Sequence, residues 1–71
     1  MIIFNSEELL MMMLYNPGTR LGLIAELITM KKQLTQREKK LNRLTERLIA
    51  KLEKITDKDF EKLDFYPEDE N

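Results

Sequence analysis

Lys40, Arg43, Arg47, Lys51 and Lys54 recur at spacings of three and four. At about 100° per residue on a helix they fall within roughly 80° of one another. Arg43–Arg47 and Arg47–Lys51 are like charges four residues apart, each pair costing about 0.2–0.5 kcal/mol if nothing neutralises it. Such a stripe asks for an acidic counterpart. Nucleic-acid phosphate would meet it through counterion release, and an acidic protein surface through ion pairs. Solvation, or pairing with Glu26 and the acidic C-terminal residues, would leave it without a partner. No aromatic side chain alternates with these bases, so a platform for stacking nucleobases is not supported.

The other side chains able to do chemistry argue against catalysis. The chain has no cysteine and no histidine, which removes thiolate zinc sites, cysteine nucleophiles and imidazole bases. Two glycines are too few for a phosphate-cradling loop. Asp57, Asp59, Glu61 and Glu68 stand at positions 1, 3, 5 and 12 of a would-be calcium loop, but its sixth position is Lys62, where the turn needs glycine. Helix capping and solubility explain these acids better, and nothing predicts that carboxylates converge in a cleft. A chain of 71 residues builds a core worth only about 3–5 kcal/mol of net stability, a poor foundation for an enclosed substrate site. The expectation is a non-enzymatic binding module with no cofactor and no metal.

The elements that carry these residues read as helices. Asn5 as N-cap with Glu8 three residues on predicts a helix from about 6 to 15, with Phe4 and Leu9 as its hydrophobic staple. Ser6 is a rival cap. Asn16-Pro17-Gly18 ends that helix. Either Asn16 or Thr19 caps a second one, about 19–33, whose apolar positions are Leu21, Ile24, Leu27, Ile28 and Leu34. Thr35-Gln36-Arg37-Glu38 reads as a capping box that opens a third helix, about 36–54, although an unbroken helix through Leu34 is the alternative. Leu41, Leu44, Leu48, Leu52 and Ile55 form the apolar stripe of the third helix. Thr56 or Asp57 then caps a short helix, about 58–63, with Phe60 and Leu63 folding back, and the acidic tail 67–71 is expected to fray. The fold expected is all-α, a small antiparallel three-helix bundle with a short C-terminal fourth helix.

One segment exceeds what a single buried face needs. Leu9 to Tyr15 is seven apolar residues in a row. One reading buries the first helix nearly all round. The other makes Met11, Met12 and Met13 an adaptable partner surface. Arg20, the lone base of the first thirty residues, is expected to pair with Glu7, Glu8 or Glu26, or to reach a partner.

The net charge of −1 hides segregation. Residues 31–54 carry nine bases against three acids, and residues 57–71 two bases against seven acids. No basic residue precedes the short apolar start Met1-Ile2-Ile3-Phe4, and no apolar run approaches the roughly 20 residues of a membrane span. A cytoplasmic location without a membrane partner is expected.

Leu14-Tyr15-Asn16-Pro17-Gly18-Thr19-Arg20, followed by Leu23-Ile24, resembles the signature block of the transposon-transfer assisting proteins, small helical proteins of conjugative transposons in Firmicutes. Phe4 with Glu8 and Leu9, then Leu48, Leu52, Ile55-Thr56-Asp57 and Phe60, and finally Leu63 with Pro67, extend the resemblance over nearly the whole chain. It implies a helical fold and an accessory role in element transfer through protein or DNA contacts, and it brings no catalytic residues. Lys31, Lys32, Arg37, Lys39 and Lys40 stand where relatives are more acidic, so a DNA role built on those bases would be particular to this chain. The function expected is therefore that of an accessory protein with a protein partner. A small DNA-binding regulator using the basic stripe is the alternative. The oligomeric state, including a homo-oligomer, stays open at this point.

Overall fold

The computed structural model describes residues 2–63, and the tail 67–71, expected to fray, lies outside them. Within this range the chain forms α1 (Ser6–Tyr15), α2 (Arg20–Lys32), a 3-10 turn (Gln36–Glu38), α3 (Lys39–Lys54) and the short α4 (Asp57–Glu61). No strand occurs among the described residues, and α1, α2 and α3 pack pairwise against one another. The architecture is the all-α bundle with a short fourth helix.

Side-chain caps set the helix ends. The amide of Glu8 donates to Asn5 Oδ1 and the amide of Asn5 donates to Glu8 Oε1, both at 2.8 Å, so α1 opens on a complete capping box. Of the two caps open to α2, Thr19 is the one used, its hydroxyl accepting from the Gly22 amide at 3.1 Å. The helices on either side of Leu34 are separate. Leu34 and Thr35 lie outside helix, and Glu38 Oε1 accepts from both the amide and the hydroxyl of Thr35 at 3.0 Å. At the start of α4 the bonds are reciprocal, the Asp59 amide donating to Thr56 Oγ1 at 3.0 Å and the Thr56 amide to Asp59 Oδ2 at 3.3 Å.

The core collects Met11 and Met12 from α1, Leu23, Ile24 and Leu27 from α2, and Leu48 and Leu52 from α3. Ile55 and Phe60 close it from the C-terminal side, with Ile2, Phe4, Leu9, Leu41, Leu44 and Leu63 half-buried around it. Two expected core positions of α2 are corrected here. Leu21 and Ile28 are exposed, and Leu23, absent from the expected stripe, is fully buried. The Thr19 cap fixes where the helix starts, and packing against α1 and α3 fixes which face turns inward. On the helical wheel Leu21 and Ile28 stand roughly 100° from the centre of the inward Leu23–Ile24–Leu27 face, together on the same outer side.

Thr45 of α3 lies against Met11 (Oγ1 to Sδ 3.7 Å), whereas Lys51, further along α3, reaches Glu8, further back along α1. The two helices therefore run antiparallel, and one edge of α1 faces the flank of α3 that carries the bases.

Candidate docking face

Only part of the basic stripe is available to a partner. Lys51 Nζ donates to Glu8 Oε1 at 2.7 Å and to the Ile3 carbonyl at 2.8 Å, and it sits 5.7 Å from the centre of the Phe4 ring. Glu8 is fully buried. A buried carboxylate needs a counter-charge, and Lys51 supplies it while tying the N-terminal segment to α3. Lys51 thus belongs to the fold, which corrects its place among the contact residues. Lys54 borders a different cleft, of about 520 Å³, with Ile2, Phe4, Ile55 and Leu63 as its apolar lining.

Lys40, Arg43 and Arg47 remain together. All three are exposed, and no ion pair joins them to an acid among the described residues. With Leu41, Leu44 and Glu7 they line an open cleft of about 470 Å³ between α1 and α3. Leu41 and Leu44 are half-buried and make its apolar floor. Arg43 and Arg47, four residues apart, share an edge of α3, where their mutual repulsion is unrelieved.

The methionine run is corrected as well. Met11 and Met12 are core residues, Met12 fully enclosed, so neither offers a partner surface. Met13 is 37% exposed, and the outer side of α1 continues through Leu10 (45%) and Leu14 (75%). The helix is therefore not buried all round. Its inner face, centred on Glu8, Met11 and Met12, uses up the interior that three short helices enclose. Leu10, Met13 and Leu14, at i, i+3 and i+4, make one outward strip. Leu14 lies seven residues from Glu7 and so shares its edge of α1, the edge that borders the cleft.

Sequence reasoning missed Leu10 and Leu14. The excess of apolar residues in Leu9–Tyr15 left open a helix buried all round or an outward surface, and an unbroken run carries no periodicity to say which members would compose the latter. Glu8 was the usable signal. Its capping bond to Asn5 fixes one face of the first turn, and Met11 and Met12, three and four residues on, share that face.

The segment Asn16-Pro17-Gly18-Thr19-Arg20 is a structural joint. Asn16 Oδ1 accepts from the Gly18 amide at 2.8 Å, and Gly18 takes φ +114°, a conformation that suits glycine. Arg20 pairs with none of the acids expected for it. Its Nε donates to Asp57 Oδ1 at 2.8 Å and its Nη1 to the Leu52 carbonyl at 3.0 Å. The guanidinium fork joins the start of α2 to the end of α3 and the start of α4.

Among the described residues, no group of three or more metal-binding side chains comes together, and no helix is long and apolar enough to cross a membrane. A family model described as "Putative transposon-transfer assisting protein" matches residues 4–67. No curated protein and no solved structure matches the chain. The match spans most of the sequence, and the chain belongs to this family of proteins named for assisting transposon transfer.

Proposed function

We propose that this member of the transposon-transfer assisting family serves a conjugative transposon by binding rather than by catalysis, as a helical docking module in the cytoplasm. The outward strip Leu10–Met13–Leu14 carries the reading. A domain this short of core gains nothing in folding from leucines placed outside it, and exposed apolar surface invites association. A protein partner that covers the strip gives those residues a use.

The reading is tested by mating. A donor lacking the gene is complemented with the wild-type chain or with Leu10→Ser/Leu14→Ser, and transconjugants are counted. The double variant is expected to keep its helical spectrum and melt and to lose most of the transfer activity. Full complementation by a folded double variant refutes the docking face.

Lys40, Arg43 and Arg47 support a second reading, because no ion pair joins them to an acid among the described residues. In it the chain binds duplex DNA through phosphates, weakly and with little sequence preference, with log K falling against log salt by about 0.9 for each phosphate neutralised. A mobility-shift titration at low ionic strength, with Arg43→Glu/Arg47→Glu as control, tests it. No shift at low salt removes the DNA reading.

A further inference from the structure

We propose that the cleft between α1 and α3 receives an acidic amphipathic helix of a partner protein. This inference rests on the docking reading above and adds the chemistry of the partner. The cleft has two kinds of wall. Leu41 and Leu44 form its half-buried floor, and on the α1 side exposed Leu14 and Leu10 follow about 20° and 60° round the helix from Glu7, outside the cleft's own lining. Lys40, Arg43 and Arg47 form the opposite rim. They span seven residues of α3, about 10 Å or two turns at 1.5 Å per residue. A helix laid in the cleft with leucine-type residues at i, i+3 or i+4, and i+7 fills the floor. Acids spaced three and four apart on its flank then meet the three bases in register. The spacing on both walls is helical because both walls are helices.

The other occupants fit less of this surface. DNA phosphate uses the three bases but not the leucines, and it must approach Glu7 in the same cleft. A second copy meeting this face with the same face sets Lys40, Arg43 and Arg47 against their own equivalents, with Glu7 as the only acid among the described residues lining the cleft to answer them. An acidic amphipathic helix uses the floor and the rim together, and it relieves the repulsion along the Arg43–Arg47 edge.

The test uses three fluorescein-labelled synthetic peptides of about four helical turns. One has leucines on one face and glutamates on the rest, the second replaces every glutamate by lysine, and the third scrambles the first. Binding to the full chain is followed by anisotropy, with circular dichroism on every variant. The wild-type chain is expected to bind the glutamate peptide at least tenfold more tightly than the lysine or scrambled peptide. Arg43→Glu/Arg47→Glu should lose that affinity at least tenfold and gain affinity for the lysine peptide. Leu10→Ser/Leu14→Ser should weaken the glutamate peptide without changing the preference between peptides. Equal binding of the glutamate and lysine peptides overturns the proposal, and so does affinity indifferent to the charge reversal. Duplex DNA bound through Arg43 and Arg47, or self-association in light scattering that the same variants abolish, overturns it in favour of the other occupants. Mating assays on these variants separate the two levels. Lost transfer with no peptide binding leaves the docking face standing and removes the acidic helix. Undiminished transfer by the folded leucine variant removes both.

Discussion

Replacing Lys51 by methionine tests the most loaded contact of the bundle. The substitution keeps an apolar stem of similar length and removes the ammonium. Among the described residues Glu8 Oε1 then retains only the Asn5 amide, and Oε2 has no hydrogen-bond partner to begin with. Removing one partner of a buried ion pair costs about 3–5 kcal/mol, because the other charge stays buried and uncompensated. Here Glu8 is fully buried but a quarter of the Lys51 side chain reaches solvent, so water offsets part of the loss. The hydrogen bond to the Ile3 carbonyl adds little, since exposed Ile3 can be resolvated. About 2–3 kcal/mol is the expected cost. For a domain of this size that lowers the melting temperature by about 10–20 °C, most of the stability such a core supplies. Far-ultraviolet circular dichroism with urea and heat, run on the wild type, Lys51→Met, Glu8→Gln and the double variant, closes a cycle. Glu8→Gln preserves an acceptor for the Asn5 amide and removes the buried charge, so the double variant should regain about 1–2 kcal/mol over Lys51→Met alone. A Lys51→Met melt within about 0.5 kcal/mol of wild type, or a double variant less stable than Lys51→Met, refutes the buried-pair reasoning.

Arg20→Ala should cost about 1–2 kcal/mol in urea melts, chiefly through the Leu52 carbonyl it leaves uncapped, since the exposed Asp57 contributes less. Gly22→Ala should destabilise, reversing the gain of about 1 kcal/mol usual for Gly→Ala within a helix. A methyl built there lies 2.6 Å from Thr19 Oγ1 and 2.8 Å from Pro17 Cγ, and the Thr19 hydroxyl is held in its cap. The run of methionines should split in a thermal-melt series. Met12→Ala should cost about 2–5 kcal/mol as a core truncation, and Met13→Gln should stay within about 0.5 kcal/mol as a surface change.

Helices were legible where a polar residue caps them. Asn5 with Glu8 and Thr35 with Glu38 each act over three residues, so the spacing that announces them also makes them; Thr56 was legible only as one of two caps, and the bond it accepts from the Asp59 amide selects it. Leu48, Leu52 and Ile55 were legible because α3 alternates apolar and charged residues with a clear period. α1 and α2 lack that contrast. Leu21, Leu23, Ile24, Leu27 and Ile28 include apolar residues on more than one side of α2, and only packing against α1 and α3 decides which enter the core. The same limit hid Leu10 and Leu14. The contacts of Lys51 and Arg20 were out of reach for another reason. Their partners, Glu8 and Asp57, lie 43 and 37 residues away, and no local pattern encodes which distant acid a base will meet. The cleft that gathers Glu7, Lys40, Arg43 and Arg47 likewise exists only once α1 and α3 lie antiparallel.

The difference in reach between the caps and the ion pairs also orders events in time. Bonds three residues apart close within the nanoseconds to microseconds of helix formation, so the helix ends can form before the helices meet. Arg20–Asp57 and Glu8–Lys51 must await the docking of distant segments, and contacts made after the rate-limiting step govern unfolding rather than folding. Weakening either ion pair should therefore leave the refolding limb of a chevron nearly in place and raise the unfolding limb. The lifetime of the folded chain then depends on two arginine and lysine contacts far more than its speed of formation does, and proteolytic resistance would be tuned at Lys51 and Arg20 without touching the proposed docking face.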